Sequence, residues 1–301
     1  MKNFTRVFLF CSFLGITIPC IVTPLIQPEP WGCAEAPHMG GGDIYSPEPI
    51  KRGRTTWLYF GGWVEQCRTH DAIYVAIIRR NRIRSIQAVI KPEDVGFFAL
   101  NDPAIVKLYD PTTRRDYLLM YMTGVAIDTG QITHNKIYIS FSWADDGINW
   151  SPPALLLDGF WNPGAAVNPE TGHVWLWATQ TTFRDGQWNL TAFDMGPTGT
   201  VEHSRMLVMP ADVHNTNVSA RWIVNEGWRI LTNRWEGDLN TNVIDEWRSS
   251  DGWQWEMVRP RLIVPEAGYQ AITPAWGFRS EIYYGHYRTG WPPDSSIWIA
   301  R

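Results

Sequence analysis

The chain has 301 residues and carries 26 Lys+Arg against 30 Asp+Glu, a formal net charge of −4. That balance gives no electrostatic reason for a nucleic-acid partner, and a composition 45% hydrophobic and 19% charged excludes disorder. The aromatics stand out, with 18 Trp, 11 Tyr and 12 Phe, enough rings for an all-β core or for surfaces that stack on something flat such as a sugar.

In chain order, Lys2 and Arg6 come first and are followed by an uncharged apolar run from Val7 to Ile26. A basic start before such a run reads as an export signal or a signal anchor. The run is long enough to span a bilayer, although Pro19 and Pro24 weaken a regular helix. Residues 1–36 are therefore expected to be a signal peptide or anchor plus linker, with a membrane tether through residues 7–26. The remainder, residues 37–301, is expected to be exported: periplasmic, extracellular or membrane-anchored. Cys11 and Cys20 lie in the apolar run, which leaves Cys33 and Cys67 for one disulfide in an oxidising compartment. No CxxC or HExxH spacing points to a metal site, and no cofactor is expected.

Five segments then share one pattern: a small or polar residue with proline, a short apolar run, a turn, and an aromatic strand. They are Asp43 to Trp63, Asn101 to Gly124, Trp161 to Gln180, His214 to Asp238 and Ile272 to Trp291. Pro47, Pro103, Pro163 and Pro274 mark four of them, Asn217 fills the slot without proline, and the period is about 56 residues. A third strand follows each pair: DAIYVAII, NKIYISFS, WNLTAFDM, NVIDEWRSS and SSIWIAR. Two of these end in a D-G-x-x-W turn, Trp143 to Trp150 and Ser249 to Trp255, in which Asp-Gly makes the corner and Trp covers the neighbouring sheet. Arg79 to Arg84 follows the third strand of the first unit and reads as a solvated outer edge. Short, evenly spaced strands without a long amphipathic helix predict an all-β chain, a five-bladed β-propeller. Its last blade stops after three strands, so the fourth is missing or comes from residues before Asp43.

Propeller geometry places the starts of the first strands and the ends of the second strands on one face. That face gathers Asp43, Asp102, Asn162 and His214 from the strand starts, and Trp63, Glu65, Arg234, Trp235, Glu236, His286 and Arg288 from the following loops. Five strand starts meeting at an axis make a polar-floored pocket with aromatic walls. Trp63, Trp161, Trp235 and Trp291 are candidate sugar platforms, and His214 and His286 could hold substrate hydroxyls. There is no P-loop, dinucleotide fingerprint or GxSxG elbow.

The repeat, the Asp102-Pro103 start and the strand Tyr117-Leu118-Leu119-Met120-Tyr121 resemble the five-bladed propellers of glycoside hydrolase families 43 and 32. Tyr45-Ser46-Pro47 and Phe60-Gly61-Gly62-Trp63 add to the likeness. The resemblance implies a domain that hydrolyses a glycan, an oligo- or polysaccharide. It implies Asp43 as base or nucleophile and Asp102 as the orienting carboxylate. Blade three, however, opens with Trp161-Asn162-Pro163 and offers no acid. Hydrolysis needs two carboxyl groups, so Glu236 or Glu65 would have to supply the proton. The alternative is a propeller that binds a glycan or protein without turnover. Whether a calcium ion fills the channel is left open.

Overall fold

The computed structural model describes residues 7–13, 16–26, 44–62, 71–128, 131–181, 190–197, 203–206, 215–278, 281–288 and 295–301. Five small antiparallel sheets follow one another along the chain. Blade one comprises β3 (Ile44–Arg52), β4 (Thr55–Gly62), β5 (Ala72–Arg79) and β6 (Arg82–Ile90). A single helical turn, α1 (Pro92–Val95), leads to blade two: β7 (Phe97–Asp110), β8 (Arg115–Asp128), β10 (Lys136–Trp143) and β11 (Ala154–Asp158), with β9 (Gln131–Ile132) against β8. Blade three holds β12 (Phe160–Val167), β13 (Val174–Gln180), β14 (Leu190–Asp194) and β15 (His203–Met206). Blade four holds β16 (Asn215–Ile223), β17 (Gly227–Glu236), β18 (Thr241–Ser249) and β19 (Glu256–Ile263). Blade five holds β20 (Tyr269–Trp276), β21 (Ile282–Arg288) and β22 (Ser295–Ala300).

The first strands β3, β7, β12, β16 and β20 pack side by side in a closed cycle around an axis. Apolar residues fill the five gaps between consecutive blades rather than one central core. Tyr59, Ile73 and Val75 of blade one meet Leu100, Met120 and Met122 of blade two. Tyr121 and Ile137 meet Leu176 and Phe193 across the next gap. Trp175 and Trp177 then meet Trp228 and Trp247. Leu231 and Ile244 meet Ala271 and Tyr284, and Tyr283 and Ile299 meet Ile44 and Phe60 to close the circle. Most of the tryptophans among these residues are thus blade-to-blade packing.

The two Asp-Gly turns lie between third and fourth strands, as the pattern predicts, and each reaches a neighbouring blade. Asp146 accepts the amides of Ile148 and Asn149, and Tyr59 of blade one donates to the Gly147 carbonyl at 2.9 Å. Asp251 accepts from Trp253 and Gln254, while Gly252 lies against Trp175 of blade three. The Arg79–Arg82 hairpin leads into β6, an outermost and largely exposed strand.

The fourth strand of blade five comes from before Asp43, one of the two alternatives expected, but its source is the apolar run that was expected to lie outside the propeller. β2 (Ile16–Ile26) pairs antiparallel with β22 as the fourth strand of blade five, and β1 (Val7–Phe13) adds a fifth. Ile26 is buried among Ile44, Tyr283 and Ile297. The apolar run that reads as lying outside the propeller therefore supplies outer strands of its last blade. No helix among the described residues is long and apolar enough to cross a membrane. Cys33 and Cys67 lie outside the described residues.

Candidate functional site

Each innermost strand breaks its ladder at the same point near its start. The register shifts between Tyr45 and Glu48, Asn101 and Ala104, Trp161 and Gly164, Thr216 and Val218, and Ile272 and Ala275. Within each break one residue takes a left-handed backbone: Ser46 (φ 51°), Asp102 (50°), Asn162 (49°), Asn217 (50°) and Thr273 (46°). Four of the five precede proline, a position that disfavours helical backbone of either hand. Asp and Asn tolerate the conformation best, whereas at Ser46 and Thr273 it is strain on the order of 1–3 kcal/mol. Because the first strands form a closed cycle, these five equivalent positions form a ring, and Ser46, Asp102, Asn217 and Thr273 line one small cavity within it.

The ring is cross-bonded. The Ser46 amide donates to Thr273 Oγ1 at 2.9 Å, and the Asn162 amide donates to Thr123 Oγ1 at 2.9 Å. Ser46 Oγ–H donates to Asp102 Oδ1, and the Thr123 hydroxyl also hydrogen-bonds the Asp102 carboxyl. Asp102 is the one carboxylate among the five. Burial pushes it up from 3.8 to about 6, against the lowering pull of the two hydroxyls and with a further upward push from the charge of Asp71. Inside the ring lies a cavity with about 20 Å³ open to a water centre, room for one water and far too little for a sugar ring.

Glu48, two residues further along β3 than Ser46, lines the same cavity. Burial pushes its carboxyl to about 8, only partly offset by a hydrogen bond from the backbone of Ile105. Asp71 lies immediately before β5. The Tyr45 hydroxyl donates to its Oδ2, as does Asn101 Nδ2 at 3.0 Å, and its carbonyl accepts the Leu100 amide at 3.0 Å. Asp71 is thus moored to Leu100 and Asn101, the residues next to Asp102. Tyr45 pairs with Gly61, and the approach is close: a Cβ there would lie 3.0 Å from Asn101 Cβ and 3.3 Å from the Asp102 amide, so those neighbours would have to give way. Sequence reasoning passed over both Glu48 and Asp71. The Pro-Glu-Pro run around Glu48 was a usable signal; Asp71 had none.

Of the residues expected from sequence, Asp102 and Asn162 come together in the ring, with Trp161 half-buried beside Asn162. The blade-one ring position belongs to Ser46; Asp43, Trp63, Glu65 and His214 lie outside the described residues, as does the side chain of Arg288. Glu236 is corrected as an acid. Arg234 at 2.8 Å and Arg261 at 2.9 Å both bind its Oε2, and these bonds hold its carboxyl below the usual range. A group kept ionised cannot donate a proton to a leaving oxygen. Arg234 is corrected as a substrate ligand, because its Nε and Nη2 are spent on the fully buried Asp245. His286, 2% exposed, is packed between Tyr269 and Trp298 with Glu266 at 3.1 Å, so its ring faces blade five rather than an open pocket. Trp235 is 43% exposed and stays available as a platform. Among the described residues no group of three or more His, Cys, Asp or Glu could hold a metal ion.

No protein-family profile and no curated protein matches this chain. Solved structures do. The chain superposes on the catalytic domain of a Coprinopsis cinerea family 62 α-L-arabinofuranosidase with a TM-score of 0.63, 9% identity, and coverage of 92% of this chain and 94% of that one. An arabinanase from Bacillus subtilis gives 0.57, 11%, 85% and 93%. A β-1,2-mannobiose phosphorylase from Listeria innocua, in complex with β-1,2-mannobiose, gives 0.60, 10%, 92% and 94%. At such identities the likeness establishes the fold, a five-bladed propeller shared with glycoside hydrolases.

Proposed function

We propose that this chain is a carbohydrate-active propeller that cleaves a glycosidic bond over the ring, with Asp102 as the proton donor to the leaving oxygen. The observation that carries this is Asp102 itself, the one ring carboxyl, buried between two hydroxyls and raised to about 6. An acid in that range is protonated often enough near neutral pH to give up its proton and ionises readily once it has done so. Neighbours of the same fold act on arabinose- and mannose-containing glycans by their names, which sets the substrates to try. Trp235 and Trp161 would offer ring faces to the sugar. Export, expected from the basic start and apolar run, belongs to this reading, with residues 16–26 kept in the folded chain. Sequencing the N-terminus of the secreted protein checks that point.

The test is digestion of arabinan, xylan, fructan and mannan oligosaccharides, each with and without inorganic phosphate, by the unsubstituted chain and by Asp102→Asn. Turnover of at least one glycan is expected, with kcat/KM about 10²–10⁴-fold lower in the variant. Turnover only with phosphate would make the enzyme a phosphorylase with the same proton donor. Affinity for a glycan without turnover would contradict the reading in favour of a binding propeller.

A further inference from the structure

Cleavage of a glycosidic bond by water needs a second carboxyl group across the scissile bond from the acid, and three described carboxyls compete for that place. Glu236 is locked between two arginines. Glu48 is pushed up to about 8 by burial, so it is protonated near neutral pH and cannot take the proton of a water. Asp71 stands immediately before β5, half-buried, and is bonded to the residues that adjoin Ser46 and Asp102. It lies close enough to Asp102 for its charge to be felt there. Its position is built rather than accidental. Tyr45 and Asn101 each flank a ring residue in sequence, and both donate to Asp71 Oδ2. The Leu100 amide fixes its backbone, and the bare Gly61 lets Asn101 come close enough to do so. Two polar donors on one carboxylate oxygen suit its ionised form and aim it. The two carboxyls thus have opposed surroundings, one buried in the ring and one presented by donors at its edge. Such a pair divides naturally into acid and base.

We propose that Asp71 is the second carboxylate of the hydrolytic pair and accepts the proton of the attacking water, with Tyr45 and Asn101 as its positioning residues; this rests on the reading of Asp102 above. The water oxygen bonds to the anomeric carbon while that carbon's bond to the leaving oxygen breaks. One water proton passes to Asp71, and the Asp102 proton passes to the leaving oxygen. Solvent then returns both carboxyls to their starting states.

The test uses whichever glycan the unsubstituted chain turns over. Asp71→Asn should lose about 10³-fold in kcat/KM while melting within a few degrees of the unsubstituted chain. Asp71→Ala should recover activity with added sodium azide and release a glycosyl azide, because a small anion replaces the activated water. A structural role would not give that product. Tyr45→Phe should lower kcat more than it changes KM. Should Asp71→Asn fail to fold, the pH profile of the unsubstituted chain decides, with two limbs expected and a single descending limb contrary. Asp71→Asn within threefold of full activity, or Asp71→Ala without azide recovery, would overturn the proposal even if Asp102→Asn is inactive. In that case the reading of Asp102 survives. Absence of turnover by the unsubstituted chain would overturn both.

Discussion

Glu48 and Asp102 line one small cavity, and burial raises both, to about 8 and about 6. The consequence for stability has a definite sign. Below about pH 4.5 Glu48 is protonated in both the folded and the unfolded chain. Between there and about pH 8 the folded chain keeps a proton that the unfolded chain releases, so stability falls as pH rises through that window. Glu48→Gln removes this dependence, since the amide is neutral throughout. The variant should melt close to the unsubstituted protein at pH 5 and higher at pH 8. The gain is on the order of 1–2 kcal/mol, or roughly 2–6 °C by calorimetry. An equal difference at both pH values would show that Glu48 is not held neutral. Residues of this kind are hard to read in advance. Asp102 was legible because it opens a repeat. Asp71 was not, because Tyr45 and Asn101 lie 26 and 30 residues from it along the chain and only the stacking of blades one and two joins them.

At the scale of strands, the five bulges convert ordinary edges of β-ladders into a ring, and their placement before proline is what made the repeat visible. The sequence pattern located Asn217 in the blade without proline and both Asp-Gly turns. In blade one the left-handed ring position is Ser46, while Asp43, the expected base, lies outside the described residues. Arg234 and Glu236 were misread because a strand's pairing partners come from the next strands: Asp245 sits on β18 and Arg261 on β19. Gly61 offers the element-level test. Gly61→Ala adds a methyl 3.0–3.3 Å from Asn101 and the Asp102 amide, and the chain neighbours of the ring must give way. Activity should fall about tenfold or more while melting drops only a few degrees, measured by kinetics beside calorimetry. Unchanged activity would mean that the Asn101–Asp102 segment tolerates displacement.

A propeller is held together by closing its ring, and here the last blade borrows its fourth strand from the other end of the chain. Hydrophobicity alone could not reveal this, because an uncharged apolar run suits a membrane and a buried outer strand equally well. Deleting residues 1–26 should expose the β22 edge and the contacts around Ile26. A fall of more than about 10 °C in melting temperature, or aggregation through the bared edge, is expected. An unaltered melting curve would show that three strands suffice for blade five. The account as a whole depends on Asp102 delivering a proton to a glycan held over the ring. The pH dependence of kcat/KM tests this most directly. The rate should decline above about pH 6 as Asp102 loses its proton, and Asp102→Asn should lower the rate about 10²–10⁴-fold and remove that limb. A rate that is flat across pH 5–8, or a variant that keeps the same descending limb, would contradict it.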